Sequence, residues 1–499
     1  MLPWSSGEAV RTTPGYLKKK GRADAALHQA HKIRTDEENK MHESIKRSLI
    51  DIVGQANFTD LLIDMVSYSY DASDHNHRPE AAVWPTSSEE VSKILLIANE
   101  HRIPLTPRGA GTGLAGAAVP TQGGVVLDMC RMNKILDIRI ADRLAVVQPG
   151  VVYADLEKAL DPYGFFFPPD PASGTVCTLG GNIATNAGGI RGAKYGVTSD
   201  YVMALEVVLP DGRIMRTGSD CMKSVSGYDL TRLFVGSEGT LCIITEITLK
   251  INPRPTACKT VLVSFAALKD AGQAISDTMH SGIIPSVLEL LDENSIKVLR
   301  EHGSMDLPKV AAMILVETDG YTEAETDFQM AKVIEVVKKN KAIDIRVAHT
   351  GEEAEELWRA RKWVGSVAAQ LRPNNVSEDV TVPISKVPDL LTRISIIVRN
   401  HDLPFVIFGH AGDGNFHPKI MYDPSDPDQV RGVGKAVDEI FRLTCELGGT
   451  LTGEHGIGLS KAPYMSLEHD PVAMNVMRSI KKLFDPNNIL NPGKMALEI

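Results

Sequence analysis

Thr178-Leu-Gly-Gly-Asn-Ile-Ala-Thr-Asn-Ala-Gly-Gly189 is the stretch on which the architecture turns. Six glycines fall between Gly180 and Gly196, interleaved with Asn182, Thr185 and Asn186. The run is too ordered for a flexible linker and too glycine-rich for a packed helix. Small residues with amide side chains suit a wall against a large, flat ligand with polar edges. Upstream, Pro107-Arg-Gly-Ala-Gly-Thr-Gly-Leu-Ala-Gly116 contains G-x-G-x-x-G at Gly111, Gly113 and Gly116. A Rossmann turn needs a helix opening at the third glycine and an acid about 20 residues on. Here Pro120, Gly123 and Gly124 interrupt any helix, and the next element is a strand, Val125 to Met129. That context fails. Two readings stay open: a loop whose backbone N–H groups approach a pyrophosphate, or a plain glycine turn.

Around these blocks the pattern is mixed. Met41 to Val66 has helical apolar spacing, and Ser87 with Glu90 predicts a capping box opening a helix to about His101. Strands are expected at Ile103 to Thr106, Ala145 to Gln148 and Thr240 to Ile251, with a hairpin from Ala204 to Arg216 around Pro210-Asp211-Gly212. A third block, Gly227-Tyr-Asp-Leu-Thr-Arg-Leu-Phe-Val-Gly-Ser-Glu-Gly239, precedes the last strand. Taken together, RGAGTGLAG, PPDPxxxxTLGGNIATNAGG and GYDLTxLFVGSEGTL resemble the FAD-binding domain of the vanillyl-alcohol oxidase/p-cresol methylhydroxylase (PCMH) superfamily, in the family's order. The resemblance implies FAD contacts at Pro107, Arg108, Gly109, Ala110, Gly111, Thr112 and Gly113. It implies further ones at Pro169, Thr178, Gly181, Asn182, Thr185, Asn186, Gly188, Gly189, Glu238 and Gly239. No histidine lies in the glycine blocks, so the implied attachment is non-covalent, with Cys177 the thiol to watch.

The composition bounds the rest. A chain of 499 residues is too long for one hydrophobic core. A net charge of −10 argues against nucleic acid as a partner, and no run approaches the roughly 18 apolar residues of a membrane span. The six cysteines are scattered, which argues against a cluster motif or a disulfide framework and suits a reducing compartment. A cytoplasmic protein is expected, or one peripheral to a membrane through an electron-acceptor partner; a homodimer is allowed. The first 40 residues lack the apolar core of a secretory signal and read as a polar arm, with a transit peptide the alternative.

From Lys259 onward short strands alternate with helices, as in an antiparallel sheet backed by helices. The C-terminal part then concentrates the chemistry. His410 and His417 flank Gly-Asp-Gly-Asn, and Glu454-His455 lies in a second glycine-rich segment. On two strands joined by that turn the histidines become cross-strand neighbours. Two imidazoles and a carboxylate can hold a divalent metal and leave positions open, with His455 left over as a proton acceptor. Lone histidines are more often structural; this pairing is less easily dismissed. Arg361, in Trp358-Arg-Ala-Arg361, would by itself read as a solvated helical arginine.

FGHAGDGNFHP and TGEHGIG resemble the FAD-linked 2-hydroxy-acid dehydrogenases, whose members include glycolate oxidase subunits, D-lactate dehydrogenases and D-2-hydroxyglutarate dehydrogenases. The resemblance runs from Pro79 to Lys494. It implies a metal (Zn, Mn or Fe) held by His410, His417 and Glu454, His455 as base, and Arg361 on the substrate carboxylate. Asp413 and Asn415 would shape the turn or support the ligands, and Asn491 in FDPNNILNPGK would touch FAD. The expected fold is α+β: a two-subdomain FAD-binding domain (41–254) after the arm (1–40), an α+β cap or substrate domain with an antiparallel sheet (255–455), and a helical return to the FAD domain (456–499). The expected reaction oxidises a small D-2-hydroxy acid, glycolate or D-lactate, to the 2-oxo acid. Electrons pass to a separate acceptor: an iron–sulfur subunit, an electron-transferring flavoprotein, a cytochrome or a quinone. Gly365 and Ser377 replace a threonine and a lysine of relatives acting on the longer dicarboxylate, and Lys419 replaces an asparagine. These differences argue for a small acid, although Lys419 keeps an anionic extension open. An electron-relay subunit without turnover and a non-flavin metal hydrolase are the rival classes; intact site residues oppose the first and the FAD blocks the second.

Overall fold

A computed structural model describes residues 41–498; the expected N-terminal arm, 1–40, lies outside the described residues. Residues from Ser48 onward form one compact unit. The helical spacing expected over 41–66 is broken in two, Glu43–Val53 and Leu62–Ser67, because Gly54 leaves the helix at φ 81° and Phe58–Thr59 pairs as an edge strand with Ala81–Val83. Ala81–Val83, Val125–Asp128 and Leu105–Arg108 are parallel, with the helix Ser88–His101 as one crossover. The Ser87 hydroxyl accepts the Glu90 N–H at 3.2 Å, as a capping box requires, but Glu90 takes the N–H of Thr86 (2.7 Å) and not of Ser87. A five-stranded antiparallel sheet follows, in the order 135–139, 144–147, 243–250, 202–208, 214–218.

The glycine-rich stretch departs from expectation. Leu179–Thr185 is a helix (α1), capped by the Thr178 hydroxyl on the Gly181 N–H. Leu179 and Ile183, one turn apart, are buried, while a Cβ on Gly180 would stand 2.6 Å from Pro149 Cβ. Glycine here permits close packing of a helix and does not prevent one.

The larger sheet is antiparallel throughout. Its strands are β1 (Ala257–Phe265), β2 (Val287–Asp292), β3 (Ala312–Gly320), β4 (Ala342–Val347), β5 (Asn374–Ser377), β6 (Val380–Thr381), β7 (Phe405–His410) and β8 (Asn415–Tyr422). The order is β4-β1-β3-β2-β7-β8-β5, with β6 also pairing β8. Helices cover both faces, because residues alternate along each strand. Val261, Val263 and Phe265 pack with α2 (Leu268–His280), α4 (Glu323–Lys339), α6 (Val387–Asn400) and α7 (Pro427–Glu446). Leu262, Leu315, Val406 and Phe408 pack with α3 (Glu293–His302) and α5 (Gly351–Ala368). The last helix, α8 (Pro471–Phe484), returns to the first half: Lys481 is buried and donates to Thr240 O (2.9 Å) and Leu490 O (2.8 Å). No helix among the described residues is long and apolar enough to cross a membrane.

Phe265 is fully buried in the core between the sheet, α2 and α4. Phe265→Ala should cost about 3–5 kcal/mol by transfer and cavity terms, read as a lowered guanidinium midpoint; an unchanged midpoint would contradict this packing.

Candidate active site

Three loops meet around a cavity of about 430 Å³, in the range of small-molecule sites. The lining takes Pro107 to Gly113 from the first glycine block, Thr178, Gly181, Asn182 and Thr185 from α1 and its cap, and Glu238 and Gly239 from the third. The loops touch one another: a Cβ on Gly109 would lie 2.2 Å from Thr178 Oγ1, and one on Gly239 2.3 Å from Pro107 Cγ. The Nδ2 of Asn182 is buried without a hydrogen-bond partner. A buried orphan donor in a cavity wall is a costly arrangement that a ligand acceptor relieves. The walls of small residues and the orphan amide therefore fit a flat, polar-edged cofactor such as FAD.

Five expected residues do not line the cavity. Asn186 is the left-handed cap of α1 and accepts the Ser199 N–H at 2.8 Å. Gly189 packs on the Asp170 carbonyl, and Gly188 on Glu454. Asn491 is a tie: its Nδ2 donates to Ala117 O (2.8 Å) and Glu238 O (2.7 Å). Pro169 is buried and also absent from the lining. Glu238 lines the cavity, yet its carboxylate turns away to accept the N–H groups of Ile457 (2.6 Å) and Gly458 (2.7 Å). Sequence reasoning missed Ser173, Ser237 and Cys242 in the wall. Cys177 lines it as a free, buried thiol whose pKa burial pushes up.

At one end the lining continues to Glu454 and His455. There the histidines gather. The register pairs His410 with Asn415 and His417 with Phe408, so the two imidazoles are diagonal and not directly opposed. Their ring centroids are 5.1 Å apart, and His417 stacks on His455, also at 5.1 Å. Glu454 Oε1 is the point of convergence, 3.3 Å from His410 Nε2, 3.4 Å from His417 Nε2 and 3.8 Å from His455 Nε2.

The charges are set by neighbours. Burial works against the Glu454 carboxylate, but His410, His417 and His455 hold it down to about 2. Burial also opposes a charge on His410, yet the Glu289 and Glu454 carboxylates raise it well above the ordinary value. Burial pushes His417 down to about 3, and its Nδ1 has no hydrogen-bond partner. His455 is lowered by burial, with Lys461 adding to the effect. An ionised carboxylate with one neutral and one carboxylate-oriented imidazole suits a divalent cation. Asp379, His417, Glu454 and His455 also offer ligand atoms within 4.8 Å of one another. Asp379 is the poorer ligand of this set because its oxygens are engaged. Its Oδ2 accepts from Thr452 Oγ1 (2.6 Å), the N–H groups of Gly453 (3.0 Å), Glu454 (3.0 Å) and His455 (2.8 Å), and Lys461 Nζ (3.2 Å). Its Oδ1 takes Asn415 Nδ2 at 2.6 Å. Setting Asp379 aside leaves His417, Glu454 and His455 of this group, with His410 Nε2 3.3 Å from the same Glu454 oxygen.

Arg361 is not a solvated helical arginine. Its Nε pairs with the buried Glu289, and its guanidinium lies 5.1 Å above the Phe408 ring. Asp413 closes the turn by accepting the Asn415 N–H at 3.3 Å, and burial pushes its pKa up to about 7. Lys419 donates to Gly365 O at 3.3 Å. Glu289 and Asp379 are not singled out by the sequence; the available signals are an acid inside the apolar run Val287–Leu291 and the Glu378-Asp379 pair just before Val380-Thr-Val382.

Asp379→Ala would strand the buried Lys461 and three backbone donors, costing about 3–5 kcal/mol. Thermal melting should show a large loss, with partial recovery in Asp379→Ala/Lys461→Met; wild-type melting of the single variant would contradict the anchoring role.

Comparison with known proteins agrees with this geometry. Residues 79–218 match a family described as FAD binding domain, and residues 254–495 one described as FAD linked oxidases, C-terminal domain. The chain is 45% identical over 455 residues to the glycolate oxidase subunit GlcD of Bacillus subtilis, covering 91% of this chain and 97% of that one. It is 37% identical over 433 residues to a D-lactate dehydrogenase of Anaerostipes hadrus, covering 85% and 90%. Among solved structures, p-cresol methylhydroxylase superposes with a TM-score of 0.78 at 19% identity, over 92% of this chain and 98% of that one. The chain shares the fold of p-cresol methylhydroxylase and belongs to the FAD-linked 2-hydroxy-acid dehydrogenases, the enzyme family of GlcD and the D-lactate dehydrogenases.

Proposed function

We propose that the enzyme oxidises a small D-2-hydroxy acid, glycolate or D-lactate, to the 2-oxo acid and passes the electrons to a separate acceptor. The observation that supports this reading is that the cavity and the histidine cluster share Glu454 and His455. We divide the chain accordingly into a FAD domain (41–254), a cap (255–455) and a returning segment (456–499).

When bound, non-covalent FAD supplies the hydride acceptor, and a divalent cation held by His410, His417 and Glu454 supplies a Lewis acid. Asn182 and the backbone of residues 107–113 bind and orient the cofactor. Arg361 holds the substrate carboxylate through its terminal amino groups, since its Nε is committed to Glu289. His455, kept neutral by burial, takes the hydroxyl proton at Nε2, the nitrogen facing Glu454. Removing that proton makes loss of hydride from C2 easier, because the oxygen gains negative charge. A second reading, a substrate with a further anionic group, is favoured by Lys419. It lies two residues beyond His417, and its ammonium donates to the Gly365 carbonyl and meets no carboxylate hydrogen-bond partner among the described residues.

Anaerobic flavin bleaching with a panel of D- and L-2-hydroxy acids tests the reading. Glycolate or D-lactate should bleach the flavin; bleaching by a dicarboxylate alone would favour the second reading, and none at all would sink both. His455→Ala should keep its yellow colour but lose substrate reduction by about 10²–10⁴-fold. His410→Ala should lose its cation by elemental analysis; unchanged content would overturn the ligand set.

A further inference from the structure

Glu289 sits in β2, every residue of which is buried, and its side chain is 1% exposed. An ionised carboxylate in such a place is costly unless it is paired. Its two oxygens are divided between two jobs. Oε1 lies 2.6 Å from His410 Nδ1, which leaves Nε2 of that ring facing Glu454. Oε2 accepts the Nε–H of Arg361.

The surroundings keep this bridge in place. Arg361 stacks over Phe408, whose ring centroid is 5.7 Å from that of His417. One turn earlier on α5, Trp358 Nε1 donates to Glu317 Oε2 at 3.2 Å, fixing the helix to β3. A group on the cation side of the site and a group on its anion side thus share one counter-charge.

We propose that Glu289 is a positioning residue that couples cation binding at His410 to carboxylate binding at Arg361, so that loosening either side loosens the other. This rests on the metal reading given above. With Nε2 given to a cation, His410 must present Nδ1–H to Glu289, so both partners of Glu289 are donors. A carboxylate can accept from both. The amide of glutamine has one acceptor and one donor, so Glu289→Gln keeps the size of the side chain but turns one of the two contacts into a clash of donors.

The test uses FAD-loaded protein. Zn²⁺ affinity is measured against a chromophoric chelator, and KM and kcat are measured separately at saturating cation. Glu289→Gln should bind Zn²⁺ about 10–100-fold more weakly and raise KM for D-lactate or glycolate about tenfold, more than it lowers kcat, with the flavin spectrum retained. A purely structural role would lower flavin content and melting temperature without separating KM from kcat. Arg361→Lys is the second variant, because Arg361 contacts Glu289 and Phe408 and not the proposed cation ligands His410, His417 and Glu454. It should also weaken Zn²⁺ binding, by about threefold, since a flexible ammonium does not hold Glu289 in place. Wild-type Zn²⁺ affinity in both variants overturns the coupling while leaving the metal reading intact. Wild-type protein that takes up no Zn²⁺ overturns both. Should Glu289→Gln fail to fold, Arg361→Lys decides alone.

Discussion

One carboxylate oxygen, Oδ2 of Asp379, receives five donors from the segment that carries the reactive residues. Desolvating that charge costs several kcal/mol. Hydrogen bonds to an ionised group return about 1.5–3 kcal/mol each, so the ionised form prevails. Accordingly Asp379 stays well below the ordinary carboxylate value: burial raises it, but Lys461, His455 and His417 outweigh burial. The constraint is geometric as well. Three consecutive N–H groups can meet one oxygen only if the chain curls around it, and a Cβ at Gly453 would stand 2.3 Å from Thr381 Oγ1. The curl fixes where the Glu454 and His455 side chains emerge.

The same segment is clipped from the other side. Glu238, from the third glycine block, takes the N–H groups of Ile457 and Gly458. Gly458, at φ 48°, lies so close to the first block that a Cβ would be 2.1 Å from Ala115 O. Asn491 and Lys494 tie the returning segment to the carbonyls of Ala117 and Val119. Residues 452–458 are therefore held by one buried acid from each half of the chain. Because both acids are inside, relative movement of the halves would expose unpaired donors, and the cavity and the histidine cluster stay in register.

Much of this was legible in the sequence, for a physical reason. The glycine loops and the histidine turn are local patterns: spacing allows a cofactor loop and a metal site, and the family resemblance says which ligands they imply. Asp379 and Glu289 are not local: their partners lie 76 and 121 residues away for His455 and His410 respectively. Only folding brings them together, and an acid beside an apolar run says that it must be paired without saying to what. The helix at Leu179–Thr185 is not legible from propensity, which counts a glycine as a helix breaker, whereas Pro149 leaves no room for a Cβ at Gly180. The amides of Asn186 and Asn491, expected as cofactor contacts, also tie the loops that form the wall.

Arg361 shows how a local pattern acquires its meaning. A basic residue among Arg359, Arg361 and Lys362 on a helix is by default solvated. The i,i+3 spacing of Trp358 and Arg361 puts both on one face, and that face lies on β2 and β3, where each meets an acid. A hydrophobic contact in the same place would often be as stable or more so. The ionic arrangement therefore gains little in stability over an apolar one. What it adds is direction: a guanidinium whose Nε is occupied presents its remaining donors at a fixed angle, and an imidazole whose Nδ1 is occupied presents only Nε2.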